Sequence, residues 1–274
     1  MALKFSFIGV GNIARAIISA MDSLEGKIKT LHSDIFLYDK IEAQTAPFSS
    51  EGYNICENID EAVTNADFVF LCVKPQNYRE VLEYIKVKDI SLEGKTFISV
   101  AAGISTSQIC ECIGKSCAVI RTMPNTPMTI GMGVCAVCHN EFVEPKRFER
   151  ICRILSAKAE LLILDESKMN SIIGITSSAP AYVYKFIDAI NEAAKSEGFD
   201  DPKMLDVICK VFIGSAQMVL KANSDIKSLI KAVKSPNGTT ERALNVFEQE
   251  DIDGTILRAI KECNERAATL GKEM

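Results

Sequence analysis

The sequence predicts an α/β fold in which a doubly wound sheet is followed by an all-helical C-terminal domain. Three observations carry the prediction. Short apolar runs alternate with helical stretches through the first half, the pattern that βαβ crossovers impose on a parallel sheet. The alternation stops after Asp165, and the remainder reads as helix. A glycine fingerprint, Gly9-Val-Gly11-Asn-Ile-Ala14, sits between the first strand and the first helix, which makes the sheet Rossmann-type. With 274 residues the chain exceeds one ordinary core, and the two domains are placed at residues 1–165 and 166–274.

In chain order, strands are expected at Lys4–Ile8, Asp34–Tyr38, Phe68–Val73, Thr96–Val100, Ala118–Arg121, Val134–Val137 and Leu161–Leu164. Helices are expected to begin near Asn12, Glu61, Asn77, Ser105 and Pro145. In the second half one helix is expected to run on from Glu166. Others are expected from Ala179 to Glu197, from Pro202 to Ala222, from Ser224, from Thr239 and from Gly254. The Pro202 helix carries Met204, Leu205, Val207, Ile208, Val211, Phe212, Met218 and Val219, a band too wide for a helix with one solvated face. It reads either as the centre of a small helical domain or, the favoured reading, as a subunit interface.

Composition narrows the function. Apolar residues make up 47% and charged residues 24%, which excludes disordered and low-complexity scaffolds. A formal charge of −5 offers no basic surface for nucleic acid. The longest apolar stretch, Val207 to Leu220, is broken by Lys210 and Gln217 and is shorter than a bilayer span, so no membrane segment is expected. The first residues run straight into a strand pattern without a signal peptide, and a cytoplasmic protein is expected. The ten cysteines then read as small buried hydrophobes, with no metal site. Cys135-Ala-Val-Cys138-His139 has the spacing of a haem attachment signature, but its small and β-branched neighbours read as a buried strand.

At the nucleotide end, Gly9 makes a tight turn, Gly11 lets backbone approach a pyrophosphate, and Ala14 keeps helix and strand close. The exposed amides of Asn12, Ile13 and Ala14 then face the phosphate charge. Asp39, closing the second strand, suits a ribose 2′-hydroxyl and repels a 2′-phosphate, which leans toward NAD. It lies 25 residues beyond Ala14, where about 20 is usual, and Lys40 beside it suits a phosphate, so NADP stays open. Val73, Lys74 and Pro75 end the third main strand, and Ala101 and Gly103 follow the fourth. Both loops lie at the carboxyl edge where open sheets bind ligands, and the small residues there admit a flat nicotinamide.

Two helix starts in the second half invite a ligand. In Thr176-Ser-Ser-Ala-Pro180 the hydroxyl of Ser178 is placed to cap amides. In Ser235-Pro-Asn-Gly-Thr-Thr240 a rigid turn feeds a helix, leaving the amides of Gly238, Thr239 and Thr240 to hold a carboxylate. Simple N-capping is the competing reading of each.

Taken together, Ile8-Gly-Val-Gly-Asn12, Val73-Lys-Pro-Gln76, Met123-Pro-Asn-Thr-Pro127, Ser178-Ala-Pro-Ala-Tyr182 and Ser235-Pro-Asn-Gly-Thr-Thr240 resemble the pyrroline-5-carboxylate reductases along the full length of the chain. The resemblance implies a Rossmann domain joined to a helical domain that interlocks with a dimer partner, and reduction of a cyclic imino acid by NADP or NAD. It implies that Ser235, Gly238 and Thr239 hold the substrate carboxylate and that Thr240 hydrogen-bonds the ring nitrogen and relays its proton. It also implies that Asn125 borders the nicotinamide and that Asn58 reaches the cofactor ribose. The chain departs from the family with Ser177 and Ala179 in place of glycines, and with Asn170 and Ile173 where Asp and Thr are common. These changes add bulk near the pocket.

Two other readings compete. A hydroxyacid or other imine reductase of similar architecture would use a lysine base, for which Lys185 is the candidate. A dinucleotide sensor without turnover would have no need of the 235–240 motif.

Overall fold

The computed structural model describes residues 2–26 and 30–273. One sheet holds β1 (Phe5–Ile8), β2 (Ile35–Tyr38), β3 (Asn54–Ile55), β4 (Phe68–Leu71), β5 (Thr96–Ser99), β6 (Ala118–Pro124), β7 (Gly133–His139) and β8 (Ala159–Ile163). Their spatial order is β3-β2-β1-β4-β5-β6-β7-β8. From β3 across to β6 every pairing is parallel. Such strands are covered on both faces, which is why β4 reads as the unbroken apolar run Phe-Val-Phe-Leu and β1 as Phe-Ser-Phe-Ile, with even Ser6 buried. Alternate side chains go to opposite faces. Phe5 stacks on Phe68 and Phe7 on Phe70, with ring centroids 5.1 and 4.5 Å apart, in the core built with α1 (Asn12–Asp22) and α6 (Pro145–Ser156). Val69 and Leu71 face the other core with α3 (Ile59–Thr64), α4 (Tyr78–Val87) and α5 (Thr106–Ile113).

The parallel expectation fails at β7, which pairs antiparallel with β6, while β8 runs parallel to β7. Between β6 and β7 lie only residues 125–132, including one 3₁₀ turn at Thr126–Ile130. A parallel return needs a crossover of a dozen or more residues, so this link permits only a reversal. Two further elements had no clear sequence signal. The helix α2 (Glu42–Ser49) contains Pro47 and only one buried residue, and β3 is two residues long. The 135–139 segment is strand, as expected, with Cys135 and Cys138 buried.

The helix expected from Glu166 is absent; a 3₁₀ turn at Glu166–Lys168 leads into successive turns up to Ser178. The cause lies 90 residues away in the sequence. The Asn264 side chain accepts from the Gly174 amide at 2.8 Å and donates to the Ser171 carbonyl at 2.9 Å, taking two groups that an α-helix would pair internally.

The remaining helices are α7 (Ala179–Ser196), α8 (Lys203–Lys221), α9 (Ile226–Val233), α10 (Thr239–Gln249) and α11 (Ile252–Leu270). Asp225 caps α9 through the Ser228 amide, and the Asp251 carboxylate accepts from the Gly254 amide at the start of α11. The chain divides into two compact units, Met1–Ser178 with Glu262–Met274, and Ala179–Lys261. In the second unit α8 keeps Ile208 buried but leaves Val211, Ile213 and Met218 each 61% exposed, so a single copy does not cover this face. Among the described residues no helix is long and apolar enough to cross a membrane.

Candidate active site

The β1–α1 turn is built around Gly9. Its amide donates to the Tyr38 carbonyl at 2.8 Å, and its φ is +93°, a backbone state that side chains disfavour. A Cβ there would lie 2.8 Å from the carbonyl carbon and oxygen of Cys72, so the glycine lets the turn press against the loop after β4. Gly11 is different. A Cβ on it would meet nothing within 4 Å, and as the residue capping α1 it contributes no side chain to the helix start. Helix geometry leaves the first-turn amides of Asn12, Ile13 and Ala14 without internal acceptors, and no side chain caps them from Gly11. The mouth fits a pyrophosphate, because oriented amides and the positive helix end stabilise negative charge there.

Asp39 has a second role that the sequence did not disclose. One carboxylate oxygen accepts from the Val10 amide at 2.7 Å and the other from the Ile41 amide at 2.9 Å, so the acid that ends β2 also braces the glycine turn. Lys40 is exposed and pairs with Glu80 at 3.3 Å. Beside them an open cleft of about 630 Å³ is lined by Asp39, Lys40, Glu42, Thr45, Cys56 and Glu57 among others. Its charge is predominantly acidic.

Several residues expected near the cofactor also make structural bonds. Asn58, implied at the ribose, uses its Oδ1 to cap α3 through the Glu61 amide at 2.9 Å. The space that Gly103 leaves open is filled from within the chain, for a Cβ there would collide with the Ala267 carbonyl oxygen, and Gln108 Nε2 donates to the neighbouring Gly271 carbonyl at 2.5 Å. On its Cα side Gly103 therefore seats the end of α11. Ala101 is buried, its amide donating to Ser99 Oγ at 3.3 Å. Asn125 is also buried. It accepts from the Val134 amide at 2.8 Å and donates one of its two side-chain N–H groups to the Thr176 carbonyl at 3.2 Å, so its amide helps organise the edge. Val73 and Pro75 are partly exposed on the loop after β4, and Lys74 is exposed.

At the same carboxyl edge the 176–178 segment is tied to the end of β6. Ser177 Oγ donates to the Met123 carbonyl at 3.4 Å, and Ser178 Oγ lies 3.2 Å from Cys263 Sγ, which donates to it. Below this edge lies a buried group with no sequence signal. Arg121, 2% exposed, donates to Asn170 Oδ1 at 2.6 Å and sits 3.5 Å from Glu166 Oε1. Glu166 also accepts from the amide and hydroxyl of Thr106, both at 2.7 Å, anchoring the first turn of α5. Burial lowers the Arg121 pKa, and the Glu166 charge is the chief influence against that shift. Tyr78, buried, joins the ends of β4 and β5 through the Leu71 carbonyl at 2.5 Å and Ser99 Oγ at 3.0 Å; burial pushes its phenol up from the ordinary value.

The second unit holds the Ser235–Thr240 turn. Asn237 takes a positive φ of 57°, and its amide donates to Glu241 Oε2 at 2.7 Å. The Gly238 amide donates to the Ser235 carbonyl at 3.0 Å. Of the three amides expected to be free, Gly238 is thus already engaged, while Thr239 and Thr240 open α10 with no side-chain cap from Gly238. Lys185 is exposed and pairs with Asp188 at 3.3 Å, the state of a solvated helix-face lysine. Among the described residues no group of three or more His, Cys, Asp or Glu side chains is placed to hold a metal ion.

Comparison with known proteins agrees with this geometry. Residues 166–270 match the family description "pyrroline-5-carboxylate reductase dimerisation", and residues 4–103 match "NADP oxidoreductase coenzyme F420-dependent". The chain is 30% identical over 276 residues to the pyrroline-5-carboxylate reductase of Escherichia coli K12, covering 99% of this chain and 100% of that one. The chain belongs to the pyrroline-5-carboxylate reductase family. A pyrroline-5-carboxylate reductase structure from Coxiella burnetii is 27% identical with a TM-score of 0.82, covering 98% of this chain and 99% of that one. The Plasmodium falciparum pyrroline carboxylate reductase structure with NADP bound shares the fold, at 24% identity and a TM-score of 0.87, with 98% of each chain covered. Against the family pattern, Ser177 adds the hydrogen bond to Met123, and Asn170 gives Arg121 a neutral partner where an aspartate is common.

Proposed function

We infer that this chain reduces 1-pyrroline-5-carboxylate to L-proline, the last step of proline biosynthesis, with a nicotinamide dinucleotide as reductant. The uncapped helix start at Gly11, in a chain aligned along its length with reductases of that name, carries the reading. When bound, the reduced cofactor supplies the hydride that the imine carbon accepts. The work of the protein is to bind, orient and hold charge, because a protonated imine is already electrophilic. The amides of Asn12, Ile13 and Ala14 bind the pyrophosphate. Ser235 and the amides of Thr239 and Thr240 hold the substrate carboxylate, and the bonded Gly238 keeps their turn in shape. The Thr240 hydroxyl hydrogen-bonds the ring nitrogen and relays its proton. Ser178 completes the substrate contacts, and Val73, Lys74, Pro75 and Ala101 border the cofactor.

The preferred cofactor is NADH. Asp39, Glu42 and Glu57 line the cleft where a 2′-phosphate would lie, and Lys40 already pairs with Glu80. In solution the minimal unit is a homodimer that covers the apolar face of α8, whose Val211, Ile213 and Met218 stand largely exposed in one copy.

Following reduced-cofactor absorbance with pyrroline-5-carboxylate and, separately, with 2-keto acids tests the reaction. Oxidation by the imine alone is expected; oxidation by keto acids alone would make this a different reductase. Asp39→Asn keeps an acceptor for the Val10 amide but removes the charge, so the NADH-to-NADPH ratio of kcat/KM should fall at least about tenfold, on the order of 1.4 kcal/mol. An unchanged ratio would take Asp39 out of cofactor choice. Thr240→Ala should lower kcat by roughly 10- to 100-fold with little change in melting temperature, and full activity would remove this hydroxyl from the chemistry.

A further inference from the structure

We propose that Cys110 and Cys117 form a redox-active dithiol, a modification site that takes a peroxide-class oxidant and closes to an intramolecular disulfide. Cys110 lies on the last turn of α5, and Cys117 immediately precedes β6. Their sulfurs are 3.5 Å apart, and both thiols are free. The approach is held from two sides. Cys110 Sγ lies 3.5 Å from the Cys117 carbonyl, and Asn140 Nδ2 donates to that carbonyl at 2.9 Å while standing 3.8 Å from Cys110 Sγ. Between them the exposed residues 114–116 make a short turn after Gly114, whose φ of +78° ends the helix.

The two sulfurs differ in access and acidity. Cys110 is partly exposed and Cys117 is 5% exposed. The hydrogen bond from Cys117 lowers the Cys110 pKa against the opposing effects of burial and Glu141, while the same bond and burial raise that of Cys117. Cys110 is therefore the attacking thiolate and Cys117 the protonated resolving thiol.

With hydrogen peroxide, the Cys110 thiolate attacks one peroxide oxygen. The S–O bond forms as the O–O bond breaks, and the departing hydroxide takes a proton to become water. Cys117 sulfur then attacks Cys110 sulfur; the S–S bond forms, the S–O bond breaks, and the Cys117 proton leaves with the hydroxyl as a second water. Two electrons pass from the sulfurs to the peroxide, and no other reactant is required. The product ties the end of α5 to the start of β6.

The test uses the full-length protein and one equivalent of hydrogen peroxide. Two thiols per chain should be lost, and dithiothreitol should restore them. Trypsin cleaves after Lys95, Lys115 and Arg121, so peptides 96–115 and 116–121 separate unless a disulfide joins them. The joined pair is expected in the native protein and in Cys112→Ser, which removes the other cysteine of the longer peptide. In Cys117→Ser the link should vanish, and a sulfenic acid at Cys110 should be trapped by dimedone. Oxidation should raise the melting temperature by roughly 5 °C, because the short loop constrains the unfolded chain. A link through Cys112, or oxidation of other cysteines while Cys110 stays reduced, overturns the proposal.

Discussion

Alanine at Gly9 should destabilise the nucleotide end, while alanine at Gly11 should leave the fold intact and weaken only cofactor binding. The two glycines belong to one fingerprint yet differ physically. At Gly9 a side chain meets a positive φ of 93° and a backbone carbonyl group at 2.8 Å, neither of which moves cheaply. Left-handed strain of about 1–2 kcal/mol and overpacking of about 1–3 kcal/mol together give a loss of roughly 3 kcal/mol. The melting temperature should then fall by about 6–10 °C. At Gly11 the space is open and the backbone already extended, so stability changes by only about 1 kcal/mol from poorer capping. The methyl instead enters the volume where the pyrophosphate approaches, and KM for the reduced cofactor should rise at least about tenfold. Thermal unfolding and steady-state kinetics on both variants check the contrast. Equal melting temperatures for the two would mean that the Gly9 turn can relax.

That contrast also marks what a one-dimensional reading can reach. Gly9 and Gly11 were legible because turn, phosphate mouth and helix start are neighbours in sequence, and the parallel strands were legible because burial on both faces leaves short, mostly apolar runs. Asp39 was legible by position at the end of β2, but its bonds to Val10 and Ile41 depend on how two loops meet. Loop composition places Gly103 at the ligand edge but does not disclose the α11 end packed against it. Its neighbour in space, Ala267, lies more than 160 residues away. The missing helix after Glu166 has the same origin, since Asn264 diverts two backbone groups that local propensity would have paired. Asn58 and Asn125 came from resemblance, and here both side chains are used to cap or knit backbone. What escapes the sequence is the set of contacts whose partners are remote and whose residue types are ordinary.

The Arg121–Glu166 pair is the strongest case of such a contact, and removing its acid should cost more than removing its base. In Glu166→Ala the guanidinium, 2% exposed, keeps Asn170 as a partner but loses its countercharge, and its Nε already lacks an acceptor among the described residues. The Thr106 amide and hydroxyl lose theirs at the same time. Stranding a buried charge costs roughly 3–5 kcal/mol, and the lower end applies because Glu166 is itself one-third exposed. A fall of about 6–12 °C in melting temperature follows. In Arg121→Met a flexible apolar chain of similar length fills the site, while Glu166 keeps both bonds to Thr106 and part of its hydration, so the loss should stay below about 1.5 kcal/mol. The double variant should then be more stable than Glu166→Ala alone, since it no longer buries an unpaired cation. Because β6 continues from Arg121 to the edge at Asn125, Glu166→Ala should also raise KM for the cofactor, and Arg121→Met should restore much of that loss. If Arg121→Met proves the more damaging single change, the guanidinium acts here by packing, and the charge argument fails.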